Sequence, residues 1–226
     1  MLFAAGFGTR MGALTADIPK PLLALGGSTL IDRALDLADA AGITRKIVNL
    51  HYHGDQIANH LARRKDIALS WERDQILETG AGLRHALPLL GEGPVFTLNP
   101  DAVWAGANPL SQLRNAWDSR KMDALLLLLP LASVKSRDGR ADFALGQDGR
   151  ITRAGKTGQH LYLGAQIIRT EGLAAIPDAA FSLNRLWDQM IAHGRAYGLV
   201  HAGDWCDVGT PQGLADAETL LASRDV

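Results

Sequence analysis

Cysteine, net charge and long apolar runs are all scarce in this 226-residue chain. Cys206 is the single cysteine, so no internal disulfide framework can form, which fits a reducing compartment. The longest apolar run, residues 124–132, contains Pro130 and is far too short to span a bilayer. A formal net charge of −1 argues against a general binder of nucleic acid or anionic membranes. We therefore expect a cytoplasmic protein that binds neither.

Several familiar cofactor and catalytic motifs are also missing. The dinucleotide fingerprint G-x-G-x-x-G fails because Met11 occupies its third glycine position, and the phosphate loop G-x-x-x-x-G-K-[ST] does not occur. His51 and His53 alternate like metal ligands, but no H-E-x-x-H motif supports zinc. No G-x-S-x-G turn indicates a hydrolase, and we interpret Cys206 as a small buried residue.

What is present first is an alternation of apolar and amphipathic segments. We predict strands at 1–5, 43–50, 67–71 and 95–98, and helices at 30–38, 54–64 and 80–90. This spacing predicts an α/β fold with a doubly wound, mostly parallel sheet and right-handed crossovers. No linker or repeat interrupts the chain, so we expect one domain over 1–226. Ligands of such folds bind beyond the carboxyl ends of the strands, where Gly6, Asn49 and Asp101 lie.

The second half is less regular. We predict a helix at 109–119, strands at 123–131 and 162–169, and a helix at 183–193, after which residues 200–207 lead into Val208-Gly209-Thr210-Pro211. Residues 142–153 form a predicted antiparallel hairpin, whose Asp148-Gly149 pair suits a type I′ turn. Thr210 and Pro211 predict the start of a terminal helix.

The stretch Phe3–Leu22 combines glycines, prolines and cations after the first strand. Gly6 and Gly8 allow a ligand close to backbone N–H groups, and such a turn can hold a phosphate. Arg10 and Lys20 add two positive charges to the same loop. A lone G-x-G is also compatible with an ordinary tight turn, but together these features predict a site for a polyanion.

The longer pattern G-x-G-T-R-M followed by P-K-P-L resembles the signature of the nucleotidyltransferases that join a nucleoside triphosphate to a sugar 1-phosphate. Asp101, after Pro100, resembles the aspartate of the family's metal-binding G-D motif, with proline in place of glycine. Asp207 resembles the aspartate of its late W-x-D-x-G-T-P motif. Without the resemblance, both acids are compatible with a turn or a helix start. The form L-E-T-G-x-G at 77–82 is similar to the small muramate 1-phosphate uridylyltransferases.

The resemblance implies a role for each matching position. Arg10 and Lys20 would be catalytic, and Asp101 and Asp207 would bind Mg²⁺. The nucleotide would contact Ala4, Ala5, Gly6, Gly8, Thr9, Glu78, Thr79 and Gly80. The sugar would contact Asn49, Gly164 and Lys156. Many relatives carry a glutamate one residue before this lysine, where this chain has Gly155.

The resemblance also implies the reaction. A nucleoside triphosphate, preferably UTP, and a sugar 1-phosphate, preferably N-acetylmuramate 1-phosphate, would give a nucleotide sugar and pyrophosphate. Guanylyl transfer to mannose 1-phosphate and thymidylyl transfer to glucose 1-phosphate are alternatives. A catalytically silent subunit that binds a nucleotide sugar is an alternative of another class. We expect a monomer or a small homo-oligomer.

Overall fold

The computed structural model describes residues 1–134, 140–156 and 158–223. Its strands are β1 (Leu2–Phe3), β2 (Ala24–Leu25), β3 (Ser28–Thr29), β4 (Lys46–Leu50), β5 (Ile67–Trp71), β6 (Val95–Leu98), β7 (Ala102–Gly106), β8 (Ala124–Pro130), β9 (Phe143–Leu145), β10 (Ile151–Arg153), β11 (His160–Ile168), β12 (Ala196–Val200) and β13 (Gly203–Asp207). Its α-helices are α1 (Leu30–Ala40), α2 (Gly54–Leu61), α3 (Glu78–His85), α4 (Leu87–Leu90), α5 (Pro109–Ala116), α6 (Asn184–Ala192) and α7 (Pro211–Ala222). In the described parts of the chain, no helix is long and apolar enough to cross a membrane.

The central sheet has the strand order β5-β4-β1-β6-β11-β8-β12. Every strand in this row except β11 runs in the same direction, because β11 pairs antiparallel with both of its neighbours in the row. The arrangement confirms the predicted doubly wound, mostly parallel sheet. The predicted antiparallel hairpin is present as β9 and β10, and it joins the sheet through the pairing of Phe143 with His160.

Helices cover both faces of this sheet, which explains why β8 is apolar along its whole length. Leu125, Leu127 and Leu129 belong to the core formed with α1, α2 and α5. Leu126 and Leu128 point the other way, into the core formed with α3 and α6. Alternate side chains of a strand point to opposite faces, so a strand covered on both sides must be apolar throughout.

The structure differs from the sequence predictions in several places. The helix expected at 80–90 begins at Glu78 and is divided into α3 and α4 near Pro88, whose ring and missing N–H interrupt a continuous helix. Strands β2, β3, β7, β12 and β13 were not predicted. The hairpin turn is not type I′, since Asp148 lacks the positive φ that this turn needs and only Gly149 has one (82°). The Gly149 N–H instead donates to the Gly146 carbonyl, closing a turn whose central residues are Gln147 and Asp148.

The ribbon of β7 and β13 matters most for the site. These two strands pair antiparallel, outside the central sheet, with Asp207 opposite Ala102. Helix α7 follows directly and starts as predicted, with the Thr210 side chain accepting the Gly213 N–H at 3.1 Å and Pro211 in the first turn. A third apolar cluster packs the ribbon and α7 against Met11, a buried residue of the loop at 6–20, which we call the glycine loop. The ribbon therefore connects residues near 101, near 207 and in the glycine loop.

Candidate active site

The glycine loop folds back onto Lys20. Gly8 has a φ of +65°, and a Cβ there would lie 3.1 Å from the Lys20 Cβ and 3.3 Å from the Thr15 Cγ2, so glycine suits this close approach. The Gly8 carbonyl accepts the Met11 N–H at 2.9 Å and the Thr15 hydroxyl at 3.0 Å. Lys20 is consequently buried, with 8% of its surface exposed. The loop holds the lysine in a defined place before any ligand is bound.

A second loop, after β4, holds the glycine loop from outside. The Tyr52 hydroxyl donates to the carbonyl oxygens of Thr15 at 2.9 Å and Ala16 at 3.0 Å. The Gln56 amide donates to the Asp17 carbonyl at 2.8 Å. His51 donates from Nδ1 to the Glu72 carbonyl at 2.6 Å, so its ring serves as a structural donor here. Tyr52 and Gln56 thus support the glycine loop, while His51 ties this second loop to Glu72.

Asp101 and Asp207 are brought together by the ribbon. The Val208 N–H donates to the Asp101 carbonyl at 2.8 Å, beside the pairing of Asp207 with Ala102. Lys20 Nζ lies 2.8 Å from Asp101 Oδ2, and Arg10 Nη1 lies 3.9 Å from Asp207 Oδ2. Two carboxylates and two cations, all four predicted from the sequence, therefore meet in one place.

Gly209 makes room for part of this group. A Cβ at Gly209 would lie 2.7 Å from the Asp207 carboxylate and 2.8 Å from both terminal nitrogens of Arg10. Cys206 is buried in the apolar cluster that contains Met11 and Ala217 of α7, and burial raises the pKa of its thiol to about 11. A protonated, buried thiol is a packing element and a poor nucleophile, as the sequence predicts.

The segment from β5 to α3 is tied to β1 by two buried side chains. Asn49 Oδ1 accepts the Ala4 N–H at 2.8 Å, and Asn49 Nδ2 donates to Glu72 Oε1 at 2.7 Å. Glu72 Oε2 then accepts the Leu77 N–H at 2.9 Å. The pair fixes the distance between β1 and the start of α3. Glu78, at that start, has a φ of +62°, a conformation that non-glycine residues adopt at an energetic cost.

Three clefts meet at Asp101, which lines each of them. The first, of about 280 Å³, includes Arg10, Asp207 and Gly164. The second, of about 200 Å³, includes Gly6, Arg10 and Lys20. The third, also of about 200 Å³, includes Gly6 and Asn49. We call them the sugar, phosphate and base clefts, after the ligands that the sequence predicts for their lining residues.

Most of the predicted site residues line these clefts. Ala4, Gly8 and Thr9 lie in the phosphate cleft, and Ala5, Glu78 and Thr79 lie in the base cleft. Asn49, predicted to contact the sugar, lines the base cleft and not the sugar cleft.

Two predicted residues lie apart from all three clefts. Lys156 is exposed and lines none of them. Gly80 is buried, and its N–H donates to the Phe181 carbonyl at 2.8 Å. A Cβ at Gly80 would lie 2.5 Å from the Phe181 ring, so close packing accounts for the glycine.

The sugar cleft is built from β11, the β9-β10 hairpin, α6 and the ribbon. Gly164 has a φ of +86° at the point where the pairing of β11 with β8 shifts register, and a Cβ there would lie 2.9 Å from the Asn99 Cβ. This bulge bends β11 at the cleft, so Gly164 both shapes the strand and lines the cleft. Tyr162 is at the floor, and burial raises the pKa of its hydroxyl, which stays neutral.

Several cleft residues were missed by sequence reasoning: Glu72, Asn99, Asp142, Arg153, Asn184, Trp187 and Trp205. Trp205 belongs to the W-x-D-x-G-T-P motif, and Asn99 precedes Pro100-Asp101, so each lies in or beside a motif that is recognisable in the sequence. No sequence motif marks Asp142, Arg153 or Asn184, because only the folding of the hairpin against α6 brings these three residues to one surface.

The two aspartates suit a hard divalent cation. Mg²⁺ in proteins takes one or two carboxylates and completes its shell with phosphate oxygens and water. Asp101 and Asp207 offer this donor set, and both are partly exposed in the sugar cleft (32% and 24% of the side chain). The described residues contain no group of three or more His, Cys, Asp or Glu side chains placed to hold a metal. A metal here would therefore depend on substrate phosphates for its remaining ligands.

Two relatives match nearly the whole chain. N-acetylmuramate α-1-phosphate uridylyltransferase from Caulobacter vibrioides is 42% identical over 98% of this chain and 96% of its own length. The protein of the same name from Neisseria meningitidis serogroup B is 33% identical over 99% of this chain and 98% of its own. A solved UDP-glucose pyrophosphorylase, complexed with UDP-glucose, has a TM-score of 0.78 at 16% identity, over 99% of this chain and 98% of that chain, which shows a shared fold.

The family match covers the half of the chain that carries the glycine loop. The MobA-like NTP transferase domain matches residues 1–130, which include Arg10, Lys20 and Asp101. The two uridylyltransferase relatives extend the likeness to 98% and 99% of the chain. This chain therefore belongs to the sugar-1-phosphate nucleotidyltransferases, within the family of MobA-like NTP transferase domains.

Proposed function

We propose that this enzyme transfers the uridylyl group of UTP to N-acetylmuramate 1-phosphate. The observation that carries the proposal is the meeting of three clefts at Asp101, beside Asp207 and in contact with Lys20. One cleft is needed for the base, one for the triphosphate and one for the sugar, and the reacting phosphates must lie where they join. The names of two relatives that match nearly the whole chain support the choice of base and sugar.

In the proposed reaction, one phosphorus–oxygen bond forms and another breaks at the α-phosphorus of UTP. An ionised oxygen of the sugar phosphate forms a bond to the α-phosphorus of UTP. The bond from that phosphorus to the bridging oxygen breaks, and pyrophosphate leaves with the electron pair. The attacking oxygen already carries its charge at pH 7, so no general base is required. Positioning and charge neutralisation then supply most of the rate.

The cations of the glycine loop act on the triphosphate. Lys20 Nζ is held at the junction and would stabilise the charge that develops as pyrophosphate leaves. Arg10 is more exposed (60% of its side chain), which allows its guanidinium to bind the triphosphate with two N–H groups. Both residues line the phosphate cleft, as this assignment requires.

Family members generally use a divalent metal, and we propose Mg²⁺ between Asp101 and Asp207. When bound, it would neutralise phosphate charge and polarise the α-phosphate.

In the base cleft, the backbone of Ala5 and Gly6 and the segment Glu78-Thr79 surround the space proposed for uracil. Asp142 puts an acid in the sugar cleft of a chain that lacks the family's glutamate before Lys156. The cytoplasmic location and the monomeric or small oligomeric state stay predictions.

Pyrophosphate release measured over a matrix of substrates tests the proposal. UTP, dTTP and GTP would each be combined with N-acetylmuramate, glucose and mannose 1-phosphates, with Mg²⁺ and with EDTA. We expect the highest kcat/KM for UTP with N-acetylmuramate 1-phosphate, and no turnover in EDTA. A preference for GTP with mannose 1-phosphate would overturn the choice of substrates. Binding of a nucleotide sugar without turnover of any pair would instead indicate a silent subunit.

A further inference from the structure

The sugar cleft contains a cation that neither of the other clefts shares. Arg10 and Arg153 are the basic residues of its lining, but Arg10 also lines the phosphate cleft and lies beside Asp207. Arg153 belongs to the β9-β10 hairpin and lines the sugar cleft alone. A positive charge that lines the sugar cleft and not the phosphate cleft is not needed for phosphoryl transfer.

The guanidinium of Arg153 is held in place from one side. Its Nε donates to Asp188 Oδ1 at 2.7 Å, and its Nη2 donates to the Asn184 carbonyl at 3.1 Å. Its Cζ lies 5.1 Å from the centre of the Phe143 ring and 5.8 Å from that of Trp187. Among the described residues, Nη1 makes no hydrogen bond. The group is therefore oriented by α6 and two aromatic rings while it keeps donors for a ligand.

The sugar cleft is lined by both acidic and basic side chains, which suits a sugar that carries a carboxylate. The phosphate end of the substrate must lie toward Arg10 and Asp101, which the sugar cleft shares with the phosphate cleft. Asp142 also lines the cleft, and its Oδ2 accepts the Tyr162 N–H at 2.9 Å. An acid suits a hydroxyl or amide N–H of the sugar, whereas Arg153 suits an anion at the part of the ring away from the phosphate.

We propose that Arg153 binds the carboxylate of the sugar substrate and selects it over neutral sugars. The inference rests on the proposed function, in which the sugar is N-acetylmuramate 1-phosphate. That sugar is N-acetylglucosamine with a lactyl ether on C3, so the two 1-phosphates differ by one carboxylate-bearing group. Arg153 is then a specificity-determining residue whose fork matches the carboxylate, and Asp188 is the residue that orients it.

The test compares these two sugars in wild-type enzyme and in Arg153→Met. A charge-assisted hydrogen bond of this kind corresponds to a loss of about 10- to 100-fold. We expect Arg153→Met to lower kcat/KM for N-acetylmuramate 1-phosphate by that factor, mainly through a higher KM. This loss should exceed the loss for N-acetylglucosamine 1-phosphate by at least about tenfold. If the neutral sugar is turned over too slowly, its inhibition constant replaces kcat/KM. Arg153→Lys should restore part of the preference, because an ammonium keeps the charge without the fork.

Two further variants serve as controls. Arg150→Met removes an arginine of the same hairpin that pairs with Asp148 outside the cleft, and it should leave the preference as in wild type. Asp188→Asn removes the ion pair with Arg153 but keeps the guanidinium, so the preference should weaken less than in Arg153→Met. Equal losses for both sugars in Arg153→Met, or none for either, would overturn the Arg153 assignment alone. A wild-type preference for neutral sugar 1-phosphates would overturn the proposed function and this assignment together.

Discussion

The carboxylate of Asp101 is held by Lys20 in the free protein, 2.8 Å from Nζ, although Asp101 is proposed to bind the metal and Lys20 to act on the triphosphate. The ion pair gives a buried ammonium a partner before substrate arrives, since an unpaired charge with little exposure is costly. Binding of a metal and a triphosphate would supply new partners to both groups. The ion pair therefore positions both side chains and leaves room for the substrates.

The first prediction concerns the two aspartates. Asp101→Asn and Asp207→Asn should each lower kcat by roughly 10²-fold, because each removes a charged ligand of the proposed metal. The double variant should lose far less than the product of the two factors, since both residues serve one ion. Pyrophosphate release at several Mg²⁺ concentrations measures this.

A stability measurement separates the two roles of Asp101. Asp101→Asn also removes the ion pair of Lys20, so the melting temperature of this variant should fall. Circular dichroism should show that the variant keeps the wild-type fold. Near-wild-type turnover in either single variant, at any Mg²⁺ concentration, would contradict the metal assignment.

At the scale of single elements, the start of α3 is defined by two glycines with different surroundings. A Cβ at Gly80 would overlap the Phe181 ring at 2.5 Å and the Phe181 carbonyl at 2.8 Å. A Cβ at Gly82 would meet Glu72 at 2.7 Å and Asn49 at 3.2 Å. Both glycines let α3 approach its neighbours closely, and in this way they place Glu78 and Thr79 in the base cleft.

The second prediction compares Gly80→Ala with Gly6→Ala. Gly80→Ala should lower the free energy of unfolding by about 1–3 kcal/mol, because the core must shift to admit the methyl group. At Gly6 a Cβ would have no atom within 4 Å, so Gly6→Ala should leave the unfolding free energy nearly unchanged. Gly6 lines the base and phosphate clefts, however, and its added methyl should raise KM for the nucleotide. Urea unfolding and initial-rate kinetics give both quantities; an unaltered stability of Gly80→Ala would contradict the packing role.

For the molecule as a whole, one charged cluster ties α1 to β4 and β5. Lys46 is 2% exposed and forms ion pairs with Asp39 and Asp66, the latter at 2.7 Å. Arg64 pairs with the same two aspartates at 2.8 Å. Hydrogen bonds from Arg64 and then Lys46 lower the pKa of Asp66. Burial opposes the shift at Asp39, but hydrogen bonds from Lys46 and Arg64 outweigh it and lower that pKa too.

The third prediction is a loss of stability in acid. A carboxyl whose pKa is lower in the folded than in the unfolded state stabilises the fold above its unfolded pKa, near 3.9, and this contribution disappears as pH falls through the folded value. The free energy of unfolding should therefore drop between about pH 4 and pH 2. Asp66→Asn should reduce the drop by about 1 kcal/mol, since partial exposure of Asp66 screens the pair.

Urea unfolding between pH 5 and pH 2.5 checks this, with Asp55→Asn as the control. Asp55 is exposed, and no ion pair or hydrogen bond of its side chain occurs among the described residues. A slope with pH that is equal in wild type and Asp66→Asn would show that the cluster does not govern acid stability.

The sequence alone was sufficient for features carried by local pattern. Alternating strands and helices led to the doubly wound sheet, and Thr210-Pro211 marked the start of α7. Gly6, Gly8, Arg10 and Lys20 lie within one short stretch, so their shared loop could be read directly. The resemblance added Asp101 and Asp207 by motif, although nothing in their spacing shows that they meet.

Only the tertiary structure decided which distant residues share a surface. The pairing of β7 with β13 brings residues 101 and 207 together, and no periodicity in either strand predicts its partner. Asn49 pairs with Glu72 in the interior, and Arg153 reaches the sugar cleft because the hairpin folds against α6. Local propensities depend on neighbours along the chain, whereas these contacts depend on how the sheet is ordered and how its two faces are covered. The sequence therefore determined which candidate groups the chain carries, and the packing of the fold determined which of them line one cleft.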